Sequence, residues 1–315
     1  MRKFLIHCPG NSVAGGAESL HQFGDCLNSL GEEAYMCYYP YNNNFFKPNK
    51  FSSYNIKEKK FYDNKNLIHI FPEIYTKASL KVKKGKIGIF WLSIDNYYGY
   101  KDHNNLIKKN LMKFKLLYKT RIPIFMMKNY FHLYQSHYSK SYLKKYKLKG
   151  FFIGDYIKNI PDKSFRKKEK KILFNPRKGK HITDQLIKKN KNLTFIPLEN
   201  LSENEMFNLM KKTAIYIDFG NHPGRDRIPR EATLNDCILI TGRRGSAKNK
   251  SDIPIKKKYK LNHKSKRFYL DFKKLVNQIF EDINFHQSEV SYYKEIIKAD
   301  KRKVVQNVEK FLTSF

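Results

Sequence analysis

Short, fully apolar runs alternate along the chain with glycine-containing loops and with stretches whose apolar residues recur every three or four positions. Phe4–Cys8 is the first such run and ends at Pro9-Gly10, which predicts a buried strand. Asn11 to Gly16 predicts a loop. Leu20, Phe23, Leu27 and Leu30 then follow at helical spacing, and Gly31 is the expected stop. Ala34–Tyr39 predicts a second strand. A strand, a glycine loop, a helix and a strand open a Rossmann-like unit. Ile68–Phe71, Lys86–Leu92, Leu133–Ser136 and Phe151–Gly154 predict further strands, with helical stripes over Leu106–Tyr118 and Tyr138–Tyr146. The best apolar stretches, Ile87–Leu92 and Ile122–Met127, have strand length. Neither approaches the roughly 20 residues that a membrane-spanning helix needs.

Residues 155–170 mark a boundary, with a turn signal at Ile160-Pro161-Asp162 and a charge run over Arg166–Lys171. A second α/β pattern follows. Lys171–Phe174, Leu193–Ile196, Ala214–Phe219 and Cys237–Thr241 predict strands. Ser202 and Glu205 form a capping box for a helix to about Lys212, and Arg230–Asn235 predicts a short helix. From Phe272 to Phe315 the pattern is helical. The expected organisation is an N-terminal Rossmann-like domain at 1–160, a second one at 165–285, and C-terminal helices at 286–315 with the first domain as a candidate packing surface. Ligands of open α/β sheets bind beyond the C-terminal ends of the strands, so two such domains are expected to face a cleft.

Charge changes the picture next. Lys and Arg number 63 against 28 Asp and Glu, a net charge of +35 over 315 residues. Such a balance fits nucleic-acid binding, attraction to anionic lipid headgroups, or a coding bias towards Lys, Asn, Ile and Tyr. Two basic stretches stand out. Leu106–Arg121 carries Lys108, Lys109, Lys113, Lys115, Lys119 and Arg121, and Ser139–Gly150 carries Lys140, Lys144, Lys145, Lys147 and Lys149. Each reads either as a membrane-facing surface or as a solvated lysine face. The four cysteines, Cys8, Cys26, Cys37 and Cys237, show no metal spacing and are too few for a disulfide framework. Phe4-Leu5-Ile6 is too short for a signal-peptide core, so a soluble cytoplasmic protein is expected.

Candidate chemistry gathers at strand ends of the second domain. Asp218 to Ala232 runs from a buried strand into a helix and holds Arg225, Arg227 and Arg230 within six residues, with Glu231 one turn into the helix. Helix N-termini favour anions, and guanidinium groups add bidentate contacts to phosphate. The alternative is a solvated loop of Arg–Asp pairs. Thr241 to Ser246 adds Arg243, Arg244 and two glycines, and the loop after Lys171–Phe174 adds Arg177 and Lys178. Three basic loops point to a pyrophosphate site. In the first domain Gly15-Gly16 opens a helix and reads either as a ligand approach or as a tight turn. Asp95, just past the strongest strand, is the candidate general base, or else an ordinary turn residue. His7, His21, His103, His132, His137 and His222 lack metal-ligand spacing and read mostly as packing or surface residues. HExxH, GxSxG, CxxC and DxD motifs are absent from the sequence.

Gly15-Gly16-Ala17-Glu18 before a helix, with a second α/β domain closing in Pro229-Arg230-Glu231-Ala232, resembles GT-B glycosyltransferases. The pattern is most similar to family 4 and to related bacterial capsule and lipopolysaccharide transferases. That resemblance implies an α/β GT-B fold and transfer of a hexosyl or related sugar from a nucleotide-sugar to a surface glycan or glycolipid. It implies a second domain that holds the donor through Arg177 and Lys178 at the diphosphate and Glu231 at the ribose, with Gly15 and Gly16 approaching the donor phosphate and sugar. Together with the basic loops, the expected donor site is Gly15, Gly16, Arg177, Lys178, Arg225, Arg230, Glu231, Arg243, Arg244 and Ser246, with Asp95 and Arg227 in catalysis. No metal or cofactor and no nucleic-acid partner is expected; an anionic membrane surface is a candidate partner, on the inner face of the cytoplasmic membrane. Family 4 usually carries a glutamate eight positions before Glu231, where this chain has Pro223. The rival readings are a basic nucleic-acid-binding protein and a GT-B sugar-nucleotide epimerase.

Overall fold

A computed structural model of the chain describes residues 1–99, 111, 114–117, 119–159 and 167–314. The turn at 160–162 and half of the 106–121 stretch lie outside the described residues. Two compact units emerge. The first comprises Met1–Tyr156, Pro223–Arg225 and Lys301–Phe315; the second comprises Ile157–His222 and Asp226–Asp300. This differs from boundaries at 160 and 286: the C-terminal helices divide at 300, with residues 286–300 in the second unit and Lys301–Phe315 in the first.

The first unit is built on a parallel sheet of seven strands. They are β1 Lys3–Pro9, β2 Glu33–Tyr39, β3 Lys57–Glu58, β4 Leu67–Pro72, β5 Lys86–Trp91, β6 Phe131–Tyr134 and β7 Gly150–Phe152. Their order, β3-β2-β1-β4-β5-β6-β7, reverses direction at β1, as in doubly wound folds. Buried parallel strands need apolar residues on both faces. Phe4, Ile6 and Cys8 accordingly meet Leu20, Phe23 and Leu27 of helix α1, Gly15–Ser29, while Phe71, Ile89 and Trp91 join a core that does not include α1. Helix α2, Ile94–Tyr98, follows β5, and α3, His137–Lys145, follows β6. Ile122–Met127 is not a strand: Ile124–Met127 forms a 3-10 turn after Pro123, whose fixed φ suits the start of a helical turn.

The second unit has four parallel strands, β8 Glu169–Phe174, β9 Thr194–Pro197, β10 Thr213–Asp218 and β11 Ile238–Thr241, in the order β11-β10-β8-β9. Its helices are α4 Lys180–Lys189, α5 Glu203–Lys212, α6 Arg227–Leu234, α7 Phe268–Glu281 and α8 Ile283–Lys298. The capping box forms: Ser202 accepts from the Glu205 N–H, and Glu205 accepts from the Ser202 N–H at 2.8 Å. Ile172, Ile215, Ile217, Ile238 and Ile240 fill the core against Leu186, Phe272, Val276 and Tyr293. The last helix, α9 Asp300–Thr313, brings Val304, Val308 and Phe311 onto the α1 side of the first sheet. The Phe311 ring lies 5.3 to 6.4 Å from the rings of Phe4, Phe23, Phe131 and Phe151. Among the described residues, no helix is long and apolar enough to cross a membrane.

Candidate functional site

β8, β10 and β11 are neighbours and parallel, so the loops that leave their C-terminal ends emerge side by side within the second unit. The first loop, Asn175 to Gly179, packs backbone against backbone on the second. Gly179 has φ +58°, and a Cβ there would come within 2.7 Å of the Gly220 nitrogen and the Phe219 carbonyl carbon. Neither the dihedral nor the space admits a side chain. Arg177 is exposed beside this contact, and the Lys178 Nζ reaches Asp226 Oδ2 at 2.6 Å.

The second loop is organised by His222, whose side chain is fully buried. Its Nε2 lies 3.4 Å from Asp218 Oδ1, and its Nδ1 lies 3.0 Å from Asp226 Oδ2. A carboxylate on either side of the ring favours its doubly protonated form. Burial alone would lower the histidine, but the Asp218 and Asp226 carboxylates outweigh it and raise it to about 9. Burial would likewise raise Asp218; the His222 charge and hydrogen bond hold it down at about 2. Asp226 also falls, against its burial, chiefly through the Lys178 charge. The three side chains each bring a ligand atom within 4.8 Å of the others, a cation-site spacing. The Lys178 ammonium lies against the same Asp226 oxygen.

The third loop closes on the same residue. The Ser246 N–H donates to the His222 carbonyl at 2.8 Å, and at Gly245, with φ +56°, a Cβ would sit 2.0 Å from that oxygen. Ser246 is buried, Arg244 half-buried and Arg243 exposed, the last with its Nε donating to the Lys260 carbonyl at 2.7 Å. Helix α6 starts here. Arg227 donates twice to Glu231 Oε1, at 3.2 and 2.8 Å, and Glu231 is buried. Arg230 is only 1% exposed; its Nε donates to the Asp226 carbonyl at 3.2 Å, and a terminal nitrogen lies 3.7 Å from Asp300. Arg177, Lys178, Arg227, Glu231, Arg243, Arg244 and Ser246 thus share one loop cluster, with Arg230 turned into the unit behind them.

Gly15, Gly16, Asp95 and Arg225 belong to the first unit. Gly15 and Gly16 open α1, whose N-cap Ala14 offers no side-chain bond. A Cβ on Gly16 would meet Leu92 at an ordinary 3.5 Å, so nothing in the packing demands glycine there. Asp95 is buried in the first turn of α2 and accepts from the Tyr138 hydroxyl at 3.1 Å. Arg225 donates to the Asp155 carbonyl at 3.1 Å and lies 3.5 Å from its carboxylate. Glu73, which sequence reasoning passed over, is buried just past the C-terminal end of β4 and accepts from the Leu92 N–H at 3.0 Å. Burial pushes its carboxyl up to about 7, against the backbone donors and Arg121. A lone glutamate gives no sequence signal of this kind; its partner, Leu92, lies at the next strand's end.

No protein-family model matches the chain, and no curated protein sequence does. Solved structures do. HepE from Anabaena, in complex with UDP and glucose, aligns at TM-score 0.65 over 100% of both chains with 10% identity. Sucrose-phosphate synthase from Thermosynechococcus elongatus aligns at 0.60 over 100% of this chain and 99% of its own, also at 10% identity. A glycosyltransferase from Rickettsia africae aligns at 0.55 with 14% identity, over 97% of this chain and 94% of its own. At these identities the likeness is one of fold, and the fold is GT-B, with both parallel sheets and the C-terminal helices included.

Proposed function

We propose that this protein is a glycosyltransferase that moves a sugar from a nucleotide-sugar donor to a bacterial surface glycan or glycolipid. The observation that carries the reading is the basic loop cluster at the ends of β8, β10 and β11, at the N-terminus of α6, in a fold whose solved examples include complexes with UDP and UDP-glucose. Arg177, Lys178, Arg243 and Arg244 supply positive charge for a diphosphate, helped by the N–H groups of the α6 start. Glu231, held by Arg227, accepts from ribose hydroxyls. Arg225 and Arg230 serve as supports. As the sugar leaves, charge grows on the nucleotide phosphate, and prepositioned cations lower that barrier without needing a metal. In an inverting reaction Asp95 takes the proton of the acceptor hydroxyl; in a retaining one it orients the acceptor. Gly15 and Gly16 let the donor sugar and phosphate approach the α1 backbone closely.

Incubation with UDP-, GDP-, dTDP- and CMP-sugars tests this, with and without a bacterial glycolipid fraction. Nucleotide release from one donor class, accelerated by the acceptor, is expected. No release from any donor contradicts transfer; a changed sugar on an intact nucleotide instead means an epimerase.

A further inference from the structure

His222 lies among the three loops: its ring faces two carboxylates of its own loop, and the other two loops reach it through its carbonyl and through Asp226. Asp218 flanks it from β10, Asp226 from the start of α6, and Lys178 approaches through Asp226 from the β8 loop. Its carbonyl takes the Ser246 N–H from the β11 loop. Removing the ring would leave two adjacent buried or half-buried carboxylates sharing a single lysine.

We propose that His222 is a positioning residue for the nucleotide diphosphate: its ring, set between Asp218 and Asp226, holds the carboxylate that Lys178 of the β8 loop pairs with, and its proton sets the local charge that the diphosphate meets. This rests on the donor-site reading above. Counted as ions, Asp218, Asp226, His222 and Lys178 sum to zero. Loss of the histidine proton turns that sum to −1 beneath a site that must accept phosphate. The consequence is a diphosphate affinity that depends on the proton, falling as pH rises through about 9. Tyr216, fully buried on the Asp218 face of β10, is held neutral by burial and by the surrounding carboxylates. Asp218 and Asp226 stay ionised. Lys260, which receives Arg243 on its carbonyl, is lowered to about 8 by burial and titrates in the same range.

The test is calorimetric binding of UDP, GDP, dTDP, CMP and uridine to wild-type protein and to His222→Gln and His222→Asn, from pH 7 to 10. Both variants keep Lys260, so the difference between wild type and variant isolates the histidine. Wild-type affinity for the diphosphate that binds is expected to fall about tenfold across the window, the size of a one-unit coupling. The variants are expected to bind weakly and with that step removed; any uridine binding is expected to lack the step in all forms. A wild-type step that persists unchanged in folded His222→Gln overturns the proposal. So does a step of equal size for uridine, which would be loop opening without diphosphate charge. Wild type that binds none of the nucleotides overturns the donor-site reading itself. Melting curves over the same pH range give an independent readout: the gap between wild type and His222→Gln should close above pH 9, and a constant gap means a packing role alone.

Discussion

At the scale of single residues, the structure sorts buried charge by what holds it. Glu73 has backbone donors but no ion pair among the described contacts, and its carboxyl is raised to about 7. A raised acid keeps its proton in the folded state over a range where the unfolded chain has lost it, so stability falls as pH climbs from about 4.5 to 7. Glu73→Gln keeps an acceptor for the Leu92 N–H and removes the titration. Its melting temperature should match wild type near pH 5 and exceed it at pH 8; a variant less stable at pH 8 than wild type contradicts this assignment. Gly16 makes a second residue-scale prediction. Its Cβ position is unobstructed, so Gly16→Ala should melt within a few degrees of wild type yet lose at least about tenfold in donor turnover, because the new methyl meets the ligand rather than the protein. Full turnover in that variant would remove the glycine pair from the site.

At the scale of elements, the contrast between Gly16 and Gly179 is instructive. Gly179→Ala forces a left-handed φ on alanine and drives a Cβ into the Phe219–Gly220 backbone. A cost of about 1–3 kcal/mol is expected from the strain, with weakened nucleotide binding, because the Lys178 loop must shift; calorimetry and denaturant melts check both. Helix α9 is the other element with a sharp prediction. Phe311 contacts four phenylalanines from β1, α1, β6 and β7, and Phe311→Ala should cost about 3–5 kcal/mol. A loss under 1 kcal/mol by denaturant unfolding would mean α9 does not belong to that core.

Strands such as Phe4–Cys8, Lys86–Trp91 and Thr213–Asp218 were legible because both faces are buried, leaving unbroken apolar runs. Helix α4 was not read from the pattern: only Ile182, Thr183 and Leu186 are buried in it, too thin a stripe among lysines. Ile122–Met127 misleads for the opposite reason, an apolar run whose Phe125 and Met126 are exposed. The basic loops could be read from glycine and arginine spacing after strands. His222 was passed over although Asp218 and Asp226 stand four residues to either side of it; that all three side chains come together, with the Ser246 N–H on the His222 carbonyl, appears only in the fold. The inward turn of Arg230 could not be read either, since it depends on Asp300 seventy residues later.

At the scale of the whole molecule, the net charge of +35 is not evenly laid. From 103 to 154 the chain contains twelve Lys and Arg and no acidic residue, and in or beside that run Leu111, Phe114 and Phe125 are each more than 60% exposed. Each basic residue near an anionic leaflet adds up to about 1 kcal/mol. Sedimentation with phosphatidylglycerol vesicles should recover most of the protein at low salt and little at 0.5 M, whereas equal recovery with neutral vesicles would make this a solvated face.

The central claim is a nucleotide-sugar site in the second unit, and the most direct measurement is a thermal shift with UDP, GDP, CMP and dTDP, beside a DNA oligonucleotide, in wild type and Arg227→Ala. A ligand at one hundred times its Kd stabilises by about 2.7 kcal/mol, several degrees for domains of this size. The account predicts such a shift for one nucleotide class, at least halved in Arg227→Ala. A shift from DNA alone, abolished by salt, would contradict it and leave the positive charge as the functional feature of the chain.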